Sequence, residues 1–181
     1  MNICVYCSSC DAIADEYKRQ ARKLGSWIAD KGHTLVYGGA TGGLMDAVAE
    51  GAHEKGGYII GVIPQSIANN GRESKLPTLS LHVADMDERK AQMKKYADVF
   101  VVLPGGAGTV DEMFSTIASR AVGEHDKDLI LFNPNNYWDG IIAQIHRMEQ
   151  EHTAHKISLD TLPVAETIEQ LTDLLSKKLS K

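Results

Sequence analysis

Residues 99–112 read Val99-Phe100-Val101-Val102-Leu103-Pro104-Gly105-Gly106-Ala107-Gly108-Thr109-Val110-Asp111-Glu112. An apolar, β-branched run leads into glycines and then into a helical pattern, which is a strand, a tight turn and a helix start. Glycines in such a turn let several backbone N–H groups converge on one point. The helix end behind them adds its partial positive charge, so the turn suits a phosphate. The expected ligand is a phosphorylated small molecule.

The same alternation extends outward in both directions. Asn2 to Cys7, His33 to Tyr37, Tyr58 to Ile63, Leu79 to Ala84, Asp98 to Leu103 and Leu129 to Phe132 read as strands. Helical patterns fall near Asp11 to Asp30, Leu44 to Glu54, Glu88 to Tyr96, Val110 to Val122 and Tyr137 to Gln150. Strands apolar on both faces that alternate with helices predict an α/β fold: a Rossmann-like three-layer sandwich, its mostly parallel sheet flanked by helices. At 181 residues the chain is expected to form one domain over 1–181. The polar stretch after Gln150 and the helical pattern around Ala165 to Leu179 read as a structural tail.

In such sheets the site lies beyond the carboxyl ends of the strands, where the strand order reverses. Three loops leave such ends with small residues: Cys7-Ser8-Ser9-Cys10, Gly38 to Gly43, and Pro104 to Thr109. They are expected to share one pocket.

Composition narrows the partners. With 24 acidic against 19 basic side chains the net charge is −5, which argues against broad nucleic-acid or anionic-membrane binding. No apolar stretch approaches the roughly 20 residues needed to span a bilayer, and the N-terminus runs straight into a strand rather than a signal sequence. A cytoplasmic protein is expected. Cys4, Cys7 and Cys10 are an odd, clustered set and cannot form a disulfide framework. Without a fourth cysteine they do not make an iron–sulfur or zinc run either, and no metal is expected. Cys7-Ser8-Ser9-Cys10 imitates a thioredoxin-type pair; the plainer reading is a buried Cys4 and two loop thiols near the pocket. His152-x-x-His155 lacks the acid of a zinc-binding H-E-x-x-H and reads as surface.

Neither glycine loop is a dinucleotide fingerprint, because Ala40 and Ala107 stand where glycine is needed; a P-loop would need Lys at Leu44. Thr109-Val110-Asp111-Glu112 fits a capping box, in which Thr109 closes onto the helix and Glu112 reaches back to a free N–H. A cap alone has no need of Gly105, Gly106 and Gly108. On the functional reading the N–H groups from Gly105 through Ala107 to Thr109, with the Thr109 hydroxyl, hold the phosphate, and Glu112 points sideways toward a sugar. Arg89, Lys90, Lys94 and Lys95 form a charge run that alone reads as a solvated helix face. Arg89 nevertheless starts a helix just before the strand that delivers Gly105, which lets it reach the same pocket. Lys90 is a further phosphate candidate, and Ser9 and Gly39 are candidate phosphate or ribose contacts from the other loops.

Pro104 to Glu112 spells PGGxGTxxE and resembles the signature of the LOG family, the cytokinin riboside 5′-monophosphate phosphoribohydrolases once labelled possible lysine decarboxylases. Val36-Tyr37-Gly38-Gly39 through Gly43-Leu44-Met45, Gly61-Val62-Ile63-Pro64 and Met86-Asp87-Glu88-Arg89-Lys90-Ala91 extend the likeness across residues 2 to 140. The chain departs from the family pattern at Ser8, Cys10, Asp46, Asp87 and Ala118. The family's acid after Ile63-Pro64 falls at Gly71, with Glu73 as a candidate substitute. The resemblance implies Arg89 and Glu112 as catalytic residues, a purine nucleoside 5′-monophosphate as substrate, N-glycosidic hydrolysis without a cofactor, and a homodimer. The old decarboxylase label finds no lysine in the apolar setting of an imine nucleophile. A second class is a non-catalytic carrier or sensor of a nucleotide-like phosphate, as in molybdenum-cofactor carriers of related fold.

Overall fold

The computed structural model describes residues 1–153 and 162–179. Among these residues seven strands, β1 (Asn2–Tyr6), β2 (Thr34–Tyr37), β3 (Tyr58–Pro64), β4 (Leu79–Val83), β5 (Val99–Val102), β6 (Leu129–Phe132) and β7 (Val164–Ala165), form one sheet. Its order is β4-β3-β2-β1-β5-β6-β7, and every pairing is parallel. Cys4 of the central strand lies opposite Val36 on one side and Phe100 on the other.

The helices are α1 (Asp15–Asp30), α2 (Gly43–Glu54), α3 (Gln65–Asn69), α4 (Met86–Tyr96), α5 (Ala107–Ala121), α6 (Asp139–Gln150) and α7 (Ile168–Leu179). Alternation along the strands divides the core in two, because successive side chains point to opposite faces. Ile3, Val5, Leu35 and Val101 pack with Leu24 and Ile28 of α1, Val48 of α2 and Leu171 of α7. Cys4, Tyr6, Val36, Phe100 and Val102 face the other way, onto Met93 of α4, Met113 of α5 and Ile145 of α6. The sequence-predicted parallel sandwich is thus the observed architecture.

Local boundaries move where the first turn is polar or glycine-rich. Helix α1 begins at Asp15 rather than Asp11, α4 begins two residues before Glu88, and α6 begins at Asp139 rather than Tyr137. Asp85 explains the early start of α4: its carboxylate accepts from the N–H groups of Asp87 and Glu88, at 3.0 and 2.9 Å. The short α3 has no strong periodicity and was not expected. Ala165, read as the start of the last helix, instead ends the edge strand β7. Most of the polar stretch after Gln150, His155 included, lies outside the described residues. Among those described, no helix is long and apolar enough to cross a membrane.

Candidate active site

The strand order reverses between β2-β1 and β1-β5, so the loops after β1 and β5 diverge there and leave a crevice. A cavity of about 440 Å³ occupies it, lined by Cys7, Ser8, Ser9, Cys10, Met45, Arg72, Arg89, Gly106, Gly108, Thr109 and Glu112.

Helix α5 supplies one wall. It begins at Ala107 behind Gly106, whose extended backbone is the N-cap, and no side chain caps it. Thr109 and Glu112 therefore lie inside the helix, and the expected capping box does not form. The physical reason is that Ala107 and Gly108 adopt helical backbone, which starts the helix earlier and carries Thr109 to its third position. First-turn N–H groups without a side-chain acceptor leave partial positive charge facing the cavity. Thr109 is buried and folds back over Gly105, where a Cβ would fall 2.1 Å from its Oγ1.

The other glycine-led helix has a different fate. At the start of α2, Gly42 N–H donates to Asp46 at 2.7 Å, Gly43 N–H to Asp11 at 2.9 Å, and Leu44 N–H to the Ser8 carbonyl at 2.9 Å. Protein acceptors already occupy that helix end. The loop from Gly38 to Gly43 accordingly backs the cavity rather than lining it, so two of the three expected loops meet there.

At the floor, Arg89 from α4 and Glu112 from α5 form an ion pair of 3.2 Å between Nη1 and Oε1. Both are buried, at 6% and 2% exposure. Arg89 thus leaves the solvated face that its charge run suggested. Burial raises the Glu112 pKa to about 7 even though Arg89 beside it pulls the other way. A carboxyl group poised there exchanges protons near neutrality, as an acid–base group requires.

The remaining expected residues divide. Ser9, Gly106, Gly108 and Thr109 line the cavity with Arg89 and Glu112. Gly105, Ala107, Gly39 and Lys90 are not in the lining: Lys90 Nζ is held by Asp87 at 3.1 Å and Asp111 at 3.0 Å, and the Gly39 carbonyl accepts from Ser74 N–H. Glu73 also turns away, toward His82 at 3.1 Å. Cys7 and Cys10 do lie at the cavity, but burial and Glu112 push the Cys7 thiol up, the reverse of an activated thioredoxin-type thiolate. Among the described residues no cluster of three His, Cys, Asp or Glu side chains could hold a metal ion.

Sequence reading missed Arg72 and Met45. Arg72 reaches the cavity from the segment between β3 and β4, its Nη2 donating to the carbonyls of Thr41 at 3.0 Å and Ser9 at 3.4 Å. A lone arginine in a polar segment carries no periodicity or motif that would single it out. Met45 stood inside a quoted motif without a role; it packs at the inner end of the cavity, near Gly38.

Comparison with known proteins adds to this geometry. A family model described as "Possible lysine decarboxylase" matches residues 45–175. Cytokinin riboside 5′-monophosphate phosphoribohydrolase LOG3 of Arabidopsis thaliana is 32% identical over 97% of this chain and 81% of its own length. The phosphoribohydrolase LOG1 of the same plant is 32% identical over 97% of this chain and 84% of its own length. In fold, the molybdenum cofactor carrier protein of Chlamydomonas reinhardtii superposes with a TM-score of 0.73 at 21% identity, covering 99% of this chain and 98% of that one. With the family model spanning most of the chain and these relatives aligned along nearly all of it, the chain belongs to the LOG family, the family that the decarboxylase description also denotes.

Proposed function

We propose that the protein hydrolyses the N-glycosidic bond of a purine nucleoside 5′-monophosphate, releasing free base and ribose 5-phosphate. The observation that carries this reading is the buried Arg89–Glu112 pair at the floor of a cavity whose rim is the uncapped N-terminus of α5. The 5′-phosphate sits against the N–H groups of that first turn and the Thr109 hydroxyl, with Arg72 and Ser9 on the facing wall. That grip sets the ribose over Glu112, and binding energy remote from the reacting bond is spent on orientation.

In the reaction the bond from C1′ to the base nitrogen breaks, the base leaving with the electron pair, while positive charge builds on the ribose ring. The Glu112 carboxylate stabilises that charge and takes a proton from the water that attacks C1′; solvent protonates the departing base, and Glu112 returns its proton to solvent, so that one water is consumed in all. Arg89 keeps enough of Glu112 ionised for this against the effect of burial. Among the described residues no lysine lines the cavity, so imine chemistry of the kind the decarboxylase description implies finds no nucleophile among them. We further propose a cytoplasmic location and, as the family resemblance implies, a homodimer, which light scattering on the purified chain tests.

Incubation with AMP, isopentenyladenosine monophosphate and the matching nucleosides tests the reaction. Free base is expected from the monophosphates, with turnover at least about a hundredfold below that level for the nucleosides, because the phosphate contacts are lost from the transition state. Equal turnover of adenosine and AMP defeats the phosphate assignment. The fold shared with molybdenum-cofactor carriers supports a second reading, binding without turnover, and tight AMP binding with no base release would establish it. An acid buried beside the sugar position favours the hydrolase, since a carrier has no use for it.

A further inference from the structure

Two adjacent glycines follow β2, and the structure constrains them differently. Gly39 has a φ of +65°, a left-handed backbone that L side chains rarely adopt. Gly38 is not among the positive-φ glycines, so no left-handed backbone demands glycine there. Space is what selects glycine at this position. A Cβ on Gly38 would fall 1.7 Å from Arg89 Nη2, 2.9 Å from Arg89 Cζ and 3.0 Å from Met45 Cε. Met45 presents the movable end of a flexible side chain. The guanidinium does not have that freedom, because Glu112 lies 3.2 Å from Nη1 and Met86 Sδ lies 3.7 Å from the same atom. Among the described residues Arg89 Nε is buried without a hydrogen-bond partner, so the ion pair with Glu112, the Met86 sulfur and the bare backbone beneath it fix the group.

We propose that Gly38 is the positioning residue for Arg89: its missing side chain forms the slot through which the guanidinium reaches Glu112 and in which it stays. The inference rests on Arg89 and Glu112 as the catalytic pair, yet the slot itself is testable without any turnover. The two glycines then have separate tasks, backbone conformation at Gly39 and room for a catalytic cation at Gly38.

The test is a cycle of Gly38→Ala, Arg89→Ala and the double variant, read by melting temperature and by the pH profile of AMP hydrolysis. Gly38→Ala is expected to lower Tm by several degrees in the parent and to leave it nearly unchanged in the Arg89→Ala background, where truncation empties the slot. It should also lower kcat by at least about tenfold, with the double variant no slower than Arg89→Ala. The acid limb of its residual activity should move to higher pH, because Glu112 loses the neighbour that holds its pKa down.

An equal Tm loss in both backgrounds overturns the proposal, since the clash is then with something other than Arg89. So does a Gly38→Ala protein with parental kcat and pH profile. Should Gly38→Ala fail to fold, recovery of folding in the double variant supports the slot and its absence overturns it. Parental turnover by Arg89→Ala sinks the catalytic reading alone, and the Tm cycle still decides the slot.

Discussion

Glu112 is a carboxyl group whose surroundings oppose each other: burial favours its neutral form and Arg89 its anion, with burial the larger effect. Its folded pKa of about 7 lies above the ordinary 4.5. The folded state therefore binds more protons than the unfolded chain between those values. Stability from neutral Glu112 is complete below about 4.5 and is lost as pH rises to about 7. Glu112→Gln is neutral throughout, so its Tm relative to the parent should climb over that interval and then level off, as calorimetry at a series of pH values will measure. The same substitution should lower AMP turnover by about a hundredfold or more while ribose 5-phosphate still binds. Turnover within a few-fold of the parent would remove the carboxylate from the chemistry. That Glu112 is a candidate for the site was legible in PGGxGTxxE, but its depth was not: T-x-x-E has the same spacing whether Thr caps the helix or sits inside it.

Two helices start behind glycines in this fold, and their free ends differ in what surrounds them. At α2 the N–H groups are taken by Asp11, Asp46 and the Ser8 carbonyl, so the helix end is neutralised from within. At α5 no side chain serves as a cap, and Gly106 and Gly108 open onto the cavity, with nothing within 4 Å of a Cβ built on either. Gly108 lies in helical backbone, where alanine is intrinsically better. Gly108→Ala should therefore stabilise the protein by about 0.5–1 kcal/mol in urea titrations. It should also weaken ribose 5-phosphate binding measured by calorimetry, because the methyl group enters the ligand space. A gain in stability with unchanged affinity would move the phosphate away from this turn. Sequence put the phosphate on the turn before α5 but expected the loop before α2 in the same pocket, since two of the acceptors that fill that second helix end, Asp11 and the Ser8 carbonyl, come from a loop some thirty residues away in the chain.

Across the molecule, a parallel sheet covered on both faces makes each central strand part of two cores at once. Phe100 on β5 is fully buried and stacks on Tyr6 of β1, with ring centroids 5.6 Å apart, on the face covered by α4, α5 and α6. Phe100→Ala should cost about 3–5 kcal/mol of stability by chemical denaturation. A loss below about 1 kcal/mol would mean that the core refills the space. Periodicity was enough for the strands and the long helices, because apolar alternation is a local property written in consecutive residues, and the glycine turn after β5 was visible as the start of a helix for the same reason. The short α3, the two-residue β7 and the role of Arg72 carried no local signal. Which glycine loop stays open, how deep Glu112 lies, and why Gly38 rather than any small residue follows β2 are settled only when α4, α5 and the loops after β1 and β2 converge. Burial, free helix ends and steric room belong to that convergence, since each depends on atoms contributed by segments far apart in the chain.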